Sequence, residues 1–139
     1  MRSQALLEKL RSGLVVSCQA RIGEPLYGPT FMAEMAKAAQ LGGACGIRAN
    51  GAVDIAAIRK ATSLPIIGIA KRRVPGYEIY IAPAAEDAEA VATAGSAMIA
   101  LDGAPGSRPP DSRGRSWTFA ELVKYIHEEL GLPAMADIS

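Results

Sequence analysis

Five short apolar runs, alternating with segments of helical periodicity, constrain the fold of this chain more than any other feature. The runs lie at residues 14–18, 44–47, 65–70, 97–101 and 133–136, and none of them alternates apolar with polar residues. Strands that are buried on both faces of a parallel sheet have this pattern, because helices cover both faces. The sequence therefore predicts an α/β fold built on five parallel strands.

The segments between these runs predict the helices that a parallel sheet needs as crossovers. A leading helix is predicted at 3–11, and further helices are predicted at 31–41, 53–61, 86–94 and 117–130. This order fits an open doubly wound sheet or part of a (β/α)8 barrel. Since no linker divides the chain, we expect one α/β domain over residues 1–139.

Composition excludes several classes of protein and of binding partner. Half of the 139 residues are hydrophobic and the net charge is +1, which excludes a disordered chain and argues against nucleic acid as the main partner. No apolar run approaches the roughly 20 residues of a membrane span. The first 13 residues also lack the apolar stretch of a signal peptide, so we expect a cytoplasmic protein.

The cysteine and histidine content argues against a disulfide framework and against a metal site. Cys18 and Cys45 both lie in apolar runs, so we expect them to be reduced and buried. His127 is the only histidine, and no Cys/His cluster has ligand spacing, so no metal site is expected.

A polar or charged residue follows each apolar run. These residues are Gln19, Arg48, Lys71, Asp102 and Asp137. Because the carboxyl ends of parallel strands point at the active site in α/β folds, the pattern predicts one site built from several strand ends.

Lys71 is the sharpest candidate for catalysis, because it directly follows a buried strand and precedes Arg72 and Arg73. Neighbouring positive charge and partial burial both lower the pKa of a lysine, which suits it to act as a general base or to form a Schiff base. Arg48 can clamp a carboxyl, phosphate or sugar oxygen, and Asp137 can orient Lys71 or hold a hydroxyl. Gln19 offers a donor and an acceptor to a sugar hydroxyl or an amide.

Several motifs carry a resemblance to a known family. They are LVVSCQA at 14–20, GEPLYGP at 23–29, GIRANG at 46–51, IIGI at 66–69 leading to Lys71-Arg72, IALD at 99–102 and MADIS at 135–139. Together they resemble the N-acetylmannosamine-6-phosphate 2-epimerases, in order and over almost the whole chain. The resemblance implies a (β/α)8 barrel that interconverts N-acetylmannosamine 6-phosphate and N-acetylglucosamine 6-phosphate in sialic acid and amino-sugar catabolism, without a metal or organic cofactor.

The resemblance also implies roles for individual residues. Lys71 matches the family's catalytic acid/base, and Gln19, Arg48 and Asp137 match its substrate-contacting positions. Two departures are expected to alter the loops around the sugar. Residues 73–74 are Arg-Val where an acidic and then an aromatic residue are usual, and residues 103–104 are Gly-Ala where Ala-Thr is usual.

The length of the chain leaves open how it would form a complete and active barrel. A (β/α)8 barrel needs more than about 200 residues, whereas this sequence stops after its fifth predicted strand. The chain is then part of a longer enzyme, a half-barrel that pairs with itself or with a partner, or an open five-stranded sheet. The expected partners are a phosphorylated amino sugar and either a second copy of the chain or a C-terminal half. The alternative functions are an inactive half-barrel that works only on assembly and a lyase that forms a Schiff base on Lys71.

Overall fold

Strands and helices alternate along the chain in the order that the sequence predicts. The computed structural model describes residues 2–138. The strands are β1 (Val15–Cys18), β2 (Gly46–Asn50), β3 (Ile66–Ile69), β4 (Met98–Asp102) and β5 (Ala134–Asp137). The helices are α1 (Arg2–Leu10), α2 (Pro29–Leu41), α3 (Ala52–Ala61), α4 (Ala85–Thr93) and α5 (Phe119–Glu128).

The five strands form one parallel sheet in the order β1-β2-β3-β4-β5. Each strand is paired with the next one along the chain, as in a (β/α)8 barrel, whereas a doubly wound sheet reverses direction at a switch point. The sheet is therefore the first five strands of a barrel-type α/β fold, which confirms the fold class. Of the three inner strands, β3 and β4 are buried at every position and β2 at most positions, while the outer strands β1 and β5 are partly exposed.

Apolar side chains pack on both faces of the sheet, as the unbroken apolar runs predict. The larger cluster joins the sheet to its helices through residues such as Ile47, Ile58 and Leu122. The smaller cluster is centred on Ile67 and Ile69 and has residues of α1 packed against it. The strands are thus covered on each side by apolar contacts, and their polar residues are left to the strand ends.

Helix α1 packs at the amino end of the sheet. Gly46, the first residue of β2, lies so close to this helix that an added Cβ would be 2.7 Å from Leu10 Cδ2. Glycine at this position therefore allows the helix to approach. The carboxyl ends of the strands, at the opposite end of the sheet, remain free of α1.

The structure corrects several element boundaries. Helix α2 begins at Pro29 rather than at residue 31, because proline is well suited to the first helical position. Strand β2 runs to Asn50, so Arg48 lies within the strand and not after it. Outside these strands, Lys71 and Ile81 form a single antiparallel bridge.

Both cysteines are free thiols, and Cys18 is buried as expected. Cys45 is only half-buried, which corrects the expectation of two buried cysteines. Within residues 2–138, no helix has the length and the apolar character needed to span a membrane.

Candidate active site at the carboxyl ends of the strands

A cavity of about 960 Å³ opens at the carboxyl ends of β1, β2 and β3. This volume is in the range of sites that hold small molecules. Its walls come from the end of β1 and the connection to α2, from the end of β2, and from the connection between β3 and α4. The lining residues are Ser17, Gln19, Ala20, Arg21, Ile22, Glu24, Tyr27, Asn50, Lys71, Arg73 and Tyr80. Of the four predicted site residues, Gln19 and Lys71 line this cavity directly.

The backbone of Lys71 is fixed by hydrogen bonds from both sides. Its N–H donates to the Asn50 side-chain oxygen at 2.9 Å, which ties it to the end of β2. The connection after β3 also folds back on itself, because Ala82 N–H donates to Ala70 O and Arg72 N–H donates to Tyr80 O, each at 2.8 Å. Lys71 therefore lies on a connection whose backbone is held by hydrogen bonds.

The surroundings of Lys71 disfavour its charged form. Partial loss of hydration lowers the pKa of Lys71 and is the largest cause, followed by the positive charges of Arg48, Arg21 and Arg73. The carboxylate of Asp137 acts in the opposite direction and raises this pKa. At a given pH, a larger fraction of Lys71 is therefore the neutral amine than in an ordinary exposed lysine, and a neutral amine is a base.

Arg48 and Asp137 form a bidentate ion pair beside the cavity. Arg48 Nη1 and Nη2 donate to Asp137 Oδ1 and Oδ2 at 3.1 and 2.5 Å. The two residues stand on β2 and β5, which are three strand positions apart and would be about 14 Å apart in a flat sheet. The curvature of the sheet brings their side chains together, so two of the predicted site residues meet through the fold and not through the sequence.

Other sequence candidates have different partners from those expected. Asp137 pairs with Arg48 and does not orient Lys71 through a hydrogen bond. Asp102 is buried, and its Oδ1 accepts a hydrogen bond from Ala104 N–H at 3.0 Å, which makes it a loop-shaping residue. Gln19 Nε2 donates to Ser17 Oγ at 2.9 Å while lining the cavity.

The three basic residues 71–73 have different environments, which the sequence hypothesis does not distinguish. Lys71 and Arg73 line the cavity, whereas Arg72 lies between them and pairs with Asp87 of α4. Arg72 Nε and Nη2 donate to Asp87 Oδ1 and Oδ2 at 2.8 and 2.9 Å. Side chains alternate in direction along an extended segment, so residues two apart share a side. This alternation is the sequence signal that places Arg73 beside Lys71.

Tyrosines Tyr27 and Tyr80 also line the cavity, and sequence reasoning does not find them. The Arg73 guanidinium carbon lies 3.7 Å from the centre of the Tyr80 ring. The two residues are brought together by the fold-back of the connection after β3, which leaves no periodic pattern in the sequence. Within the part of the chain that the structure describes, no three His, Cys, Asp or Glu side chains are grouped to hold a metal ion.

Comparison with known proteins gives one consistent family. The family model described as "Putative N-acetylmannosamine-6-phosphate epimerase" matches residues 32–139. The chain is 46% identical over 135 residues to a protein of Caldanaerobacter subterraneus subsp. tengcongensis named "Putative N-acetylmannosamine-6-phosphate 2-epimerase", covering 96% of this chain and 55% of the relative. A protein of the same name from Thermosynechococcus vestitus is 47% identical, with 96% and 55% covered.

A solved structure, that of the N-acetylmannosamine-6-phosphate 2-epimerase from Clostridium perfringens, superposes on this chain with a TM-score of 0.87. The sequence identity is 42%, and the match covers 96% of this chain and 56% of that one. The chain thus spans about half the length of the relatives that it matches. These comparisons do not favour a Schiff-base lyase or an inactive half-barrel. The fold, the matched sequence and the superposition agree that the chain belongs to the N-acetylmannosamine-6-phosphate 2-epimerase family.

Proposed function

We propose that this protein is an isomerase that interconverts N-acetylmannosamine 6-phosphate and N-acetylglucosamine 6-phosphate by inverting C2 of the sugar. Family membership supports the reaction, and Lys71 is the observation that carries the mechanism. It lies on the wall of a cavity of ligand size, and its pKa is lowered toward the range in which an amine serves as a base.

The reaction requires removal of a proton from carbon. The proton on C2 is acidic only when C1 is a carbonyl, so the open-chain form of the sugar is the reacting species. The amine of Lys71 takes this proton, the electrons of the C–H bond form a C1–C2 double bond, and the carbonyl oxygen becomes an enolate. A proton delivered from solvent to the opposite face of C2 gives the epimer, and Lys71 then releases to solvent the proton that it took. Positive charge around the cavity favours the enolate, because it is an anion that develops during the reaction.

Gln19, Arg48 and Asp137 are proposed as substrate-binding residues. A guanidinium has five N–H donors, and Arg48 uses two of them on Asp137. The remaining three are available to hydroxyl, carbonyl or phosphate oxygens of the sugar. Gln19 lines the cavity and presents an amide that can meet a hydroxyl or the N-acetyl group.

The physiological setting proposed is sialic acid and amino-sugar catabolism in the cytoplasm. The substrate class is a phosphorylated amino sugar, whose charged phosphate ester does not cross a lipid bilayer unaided. An enzyme that acts on it must therefore work in the compartment where it is formed. We assign no metal or organic cofactor to the reaction, because an amine base and positive charge suffice for proton transfer beside a carbonyl.

Proton NMR of N-acetylmannosamine 6-phosphate in heavy water tests the proposal. We expect the C2 proton signal to disappear as deuterium enters and the epimer to form. Lys71→Ala is expected to slow this exchange by at least about 100-fold, the usual contribution of a general base. Lys60→Ala, which changes an exposed lysine of α3, is the matched control and should exchange at the wild-type rate.

Two results would contradict the proposal. Exchange by Lys71→Ala at the wild-type rate would remove Lys71 from the mechanism. A covalent adduct on Lys71, trapped with borohydride in the presence of substrate and seen as an increased intact mass, would indicate Schiff-base chemistry instead.

A further inference from the structure

Arg73 is a charged side chain that the cavity wall holds in place. Its guanidinium carbon lies 3.7 Å from the centre of the Tyr80 ring, well within the roughly 6 Å over which a cation is attracted to an aromatic face. Both residues line the cavity that contains Lys71. Arg73 is exposed and Tyr80 is half-buried, so the ring fixes a side chain that would otherwise move freely in solvent.

The connection after β3 brings this charge to the side of the chain that bears Lys71. Lys71 and Arg73 are two residues apart in an extended segment and line the same cavity. Arg72 between them is held on α4 by its two hydrogen bonds to Asp87. Arg72 N–H also donates to Tyr80 O at 2.8 Å, which places the tyrosine next to the segment that carries Arg73.

The other cations around Lys71 are held differently from Arg73. Arg48 of β2 is paired with Asp137 of β5 at 2.5 Å. The β1–α2 connection contributes Arg21 and Glu24, and here the backbone N–H of Arg21, not its guanidinium, donates to Glu24 Oε2 at 2.6 Å. Arg73 has an aromatic ring as its partner, and a ring leaves its positive charge uncancelled. The titratable and charged groups facing Lys71 are thus Arg21, Glu24, Tyr27, Arg48, Arg73, Tyr80 and Asp137.

We propose that Arg73, held on the ring of Tyr80, is a positioning residue whose charge favours the uncharged amine of Lys71 and so lowers the pH at which this lysine can act as a base. The importance of this effect for catalysis rests on the proposed function, whereas the effect of Arg73 on the protonation of Lys71 does not. Like charges disfavour each other's ionised state, and a cation fixed nearby acts on an amine more consistently than a mobile one. The direction agrees with the pKa of Lys71, which Arg73 helps to lower.

Competitive labelling of lysines measures the titration of Lys71 without requiring activity. The folded protein is treated briefly with acetic anhydride from about pH 6 to about pH 11, the range in which perturbed and ordinary lysines titrate. Peptide mass spectrometry then gives the pH midpoint for each lysine. Lys60 and Lys124 are exposed lysines distant in sequence from the cavity, and they serve as internal references.

Arg73→Gln is expected to raise the labelling midpoint of Lys71 by on the order of half a pH unit, and Arg73→Asp to raise it further. Arg73→Lys keeps the charge and should leave the midpoint near that of the wild type. Tyr80→Phe keeps the ring and should behave in the same way, whereas Tyr80→Leu releases Arg73 and should give part of the rise. High salt should shrink the difference between Arg73→Gln and the wild type, because exposed charges are screened.

An unchanged Lys71 midpoint in Arg73→Gln, with wild-type circular dichroism and unchanged reference lysines, would overturn the inference. A rise of equal size in Arg73→Lys would also overturn it, because charge would then not be the cause. In the active enzyme, the acidic limb of the kcat–pH profile should move in the same direction as the labelling midpoint. If labelling shifts as expected but the wild type does not exchange the C2 proton, then the proposed function fails and the inference about Arg73 stands.

Discussion

Arg48 and Asp137 each keep 24% of their side-chain surface exposed while they bond to each other at the mouth of the curved sheet. Removing two charges from water is costly, so such a pair adds little net stability even when its geometry is good. Breaking it is different, because the partner that remains has a partly buried charge with no counterion. The pair therefore matters more for the shape and charge of the site than for the free energy of folding.

Asp137→Asn is expected to lower the free energy of unfolding by about 1–3 kcal/mol, since it weakens charge-assisted hydrogen bonds to Arg48. The double variant Arg48→Gln/Asp137→Asn should lose less than the sum of the two single losses, because neither charge is then left alone. Urea unfolding of the four proteins measures this coupling. Lys124→Gln, which breaks an exposed 3.9 Å pair with Glu128, is the control and should change stability by no more than about 0.5 kcal/mol. Additive losses at Arg48 and Asp137 would contradict the expectation.

At the level of elements, α5 shows how local chemistry sets a boundary. The helix begins at Phe119, two residues later than its apolar periodicity indicates. Thr118 Oγ1 accepts a hydrogen bond from Glu121 N–H at 3.2 Å, and Glu121 Oε2 accepts one from Thr118 N–H at 2.9 Å. This reciprocal pair is a capping box, which satisfies two N–H groups that the first turn leaves without partners.

Thr118→Ala removes the hydroxyl of this cap. We expect it to lower the free energy of unfolding by about 1 kcal/mol, and thermal or urea unfolding followed by circular dichroism measures the loss. Thr118→Ser keeps the hydroxyl and should stay close to the wild type. Equal losses in the two variants would show that the hydrogen bond is not the cause.

The order of strands and helices is predictable from the sequence, because apolar runs and helical spacing are local properties. Several details of the candidate site are not local. Strand ends predict that Gln19 and Lys71 share one edge of the sheet, and the cavity contains both. The bonding of Arg48 to Asp137 depends on the curvature of the whole sheet, and the stacking of Arg73 on Tyr80 depends on the fold-back of one connection. No pattern along the chain encodes either contact.

At the scale of the whole molecule, burial is uneven across the sheet. Every residue of β3 is buried, and the strand has a paired neighbour on each side. Most residues of the outer strands β1 and β5 are partly exposed. Local opening requires less free energy where fewer apolar contacts hold a strand in place. We therefore expect the free energy of local opening to be highest in the central strands of the sheet.

Amide hydrogen exchange followed by mass spectrometry is expected to show the slowest exchange in β3 and β4 and faster exchange in β1 and β5. Measured at increasing protein concentration, it also tests whether the expected partner is a second copy of the chain rather than a C-terminal half. Slower exchange confined to β1 or β5 at high concentration, with a matching rise in sedimentation coefficient, would support self-association through an outer strand. Protection in β1 and β5 equal to that in β3 at the lowest concentration would contradict the expected gradient.

The bond between Arg48 and Asp137 also has a consequence for biosynthesis. The two residues are 89 positions apart. At ribosomal rates of about 5–20 residues per second, Asp137 is added roughly 4 to 18 s after Arg48. During that interval the residues of β2 and β3 have been synthesised, but Arg48 has no counterion from β5. The ion pair between Arg48 and Asp137 therefore forms only after β5 has been synthesised, so this part of the candidate site is assembled late.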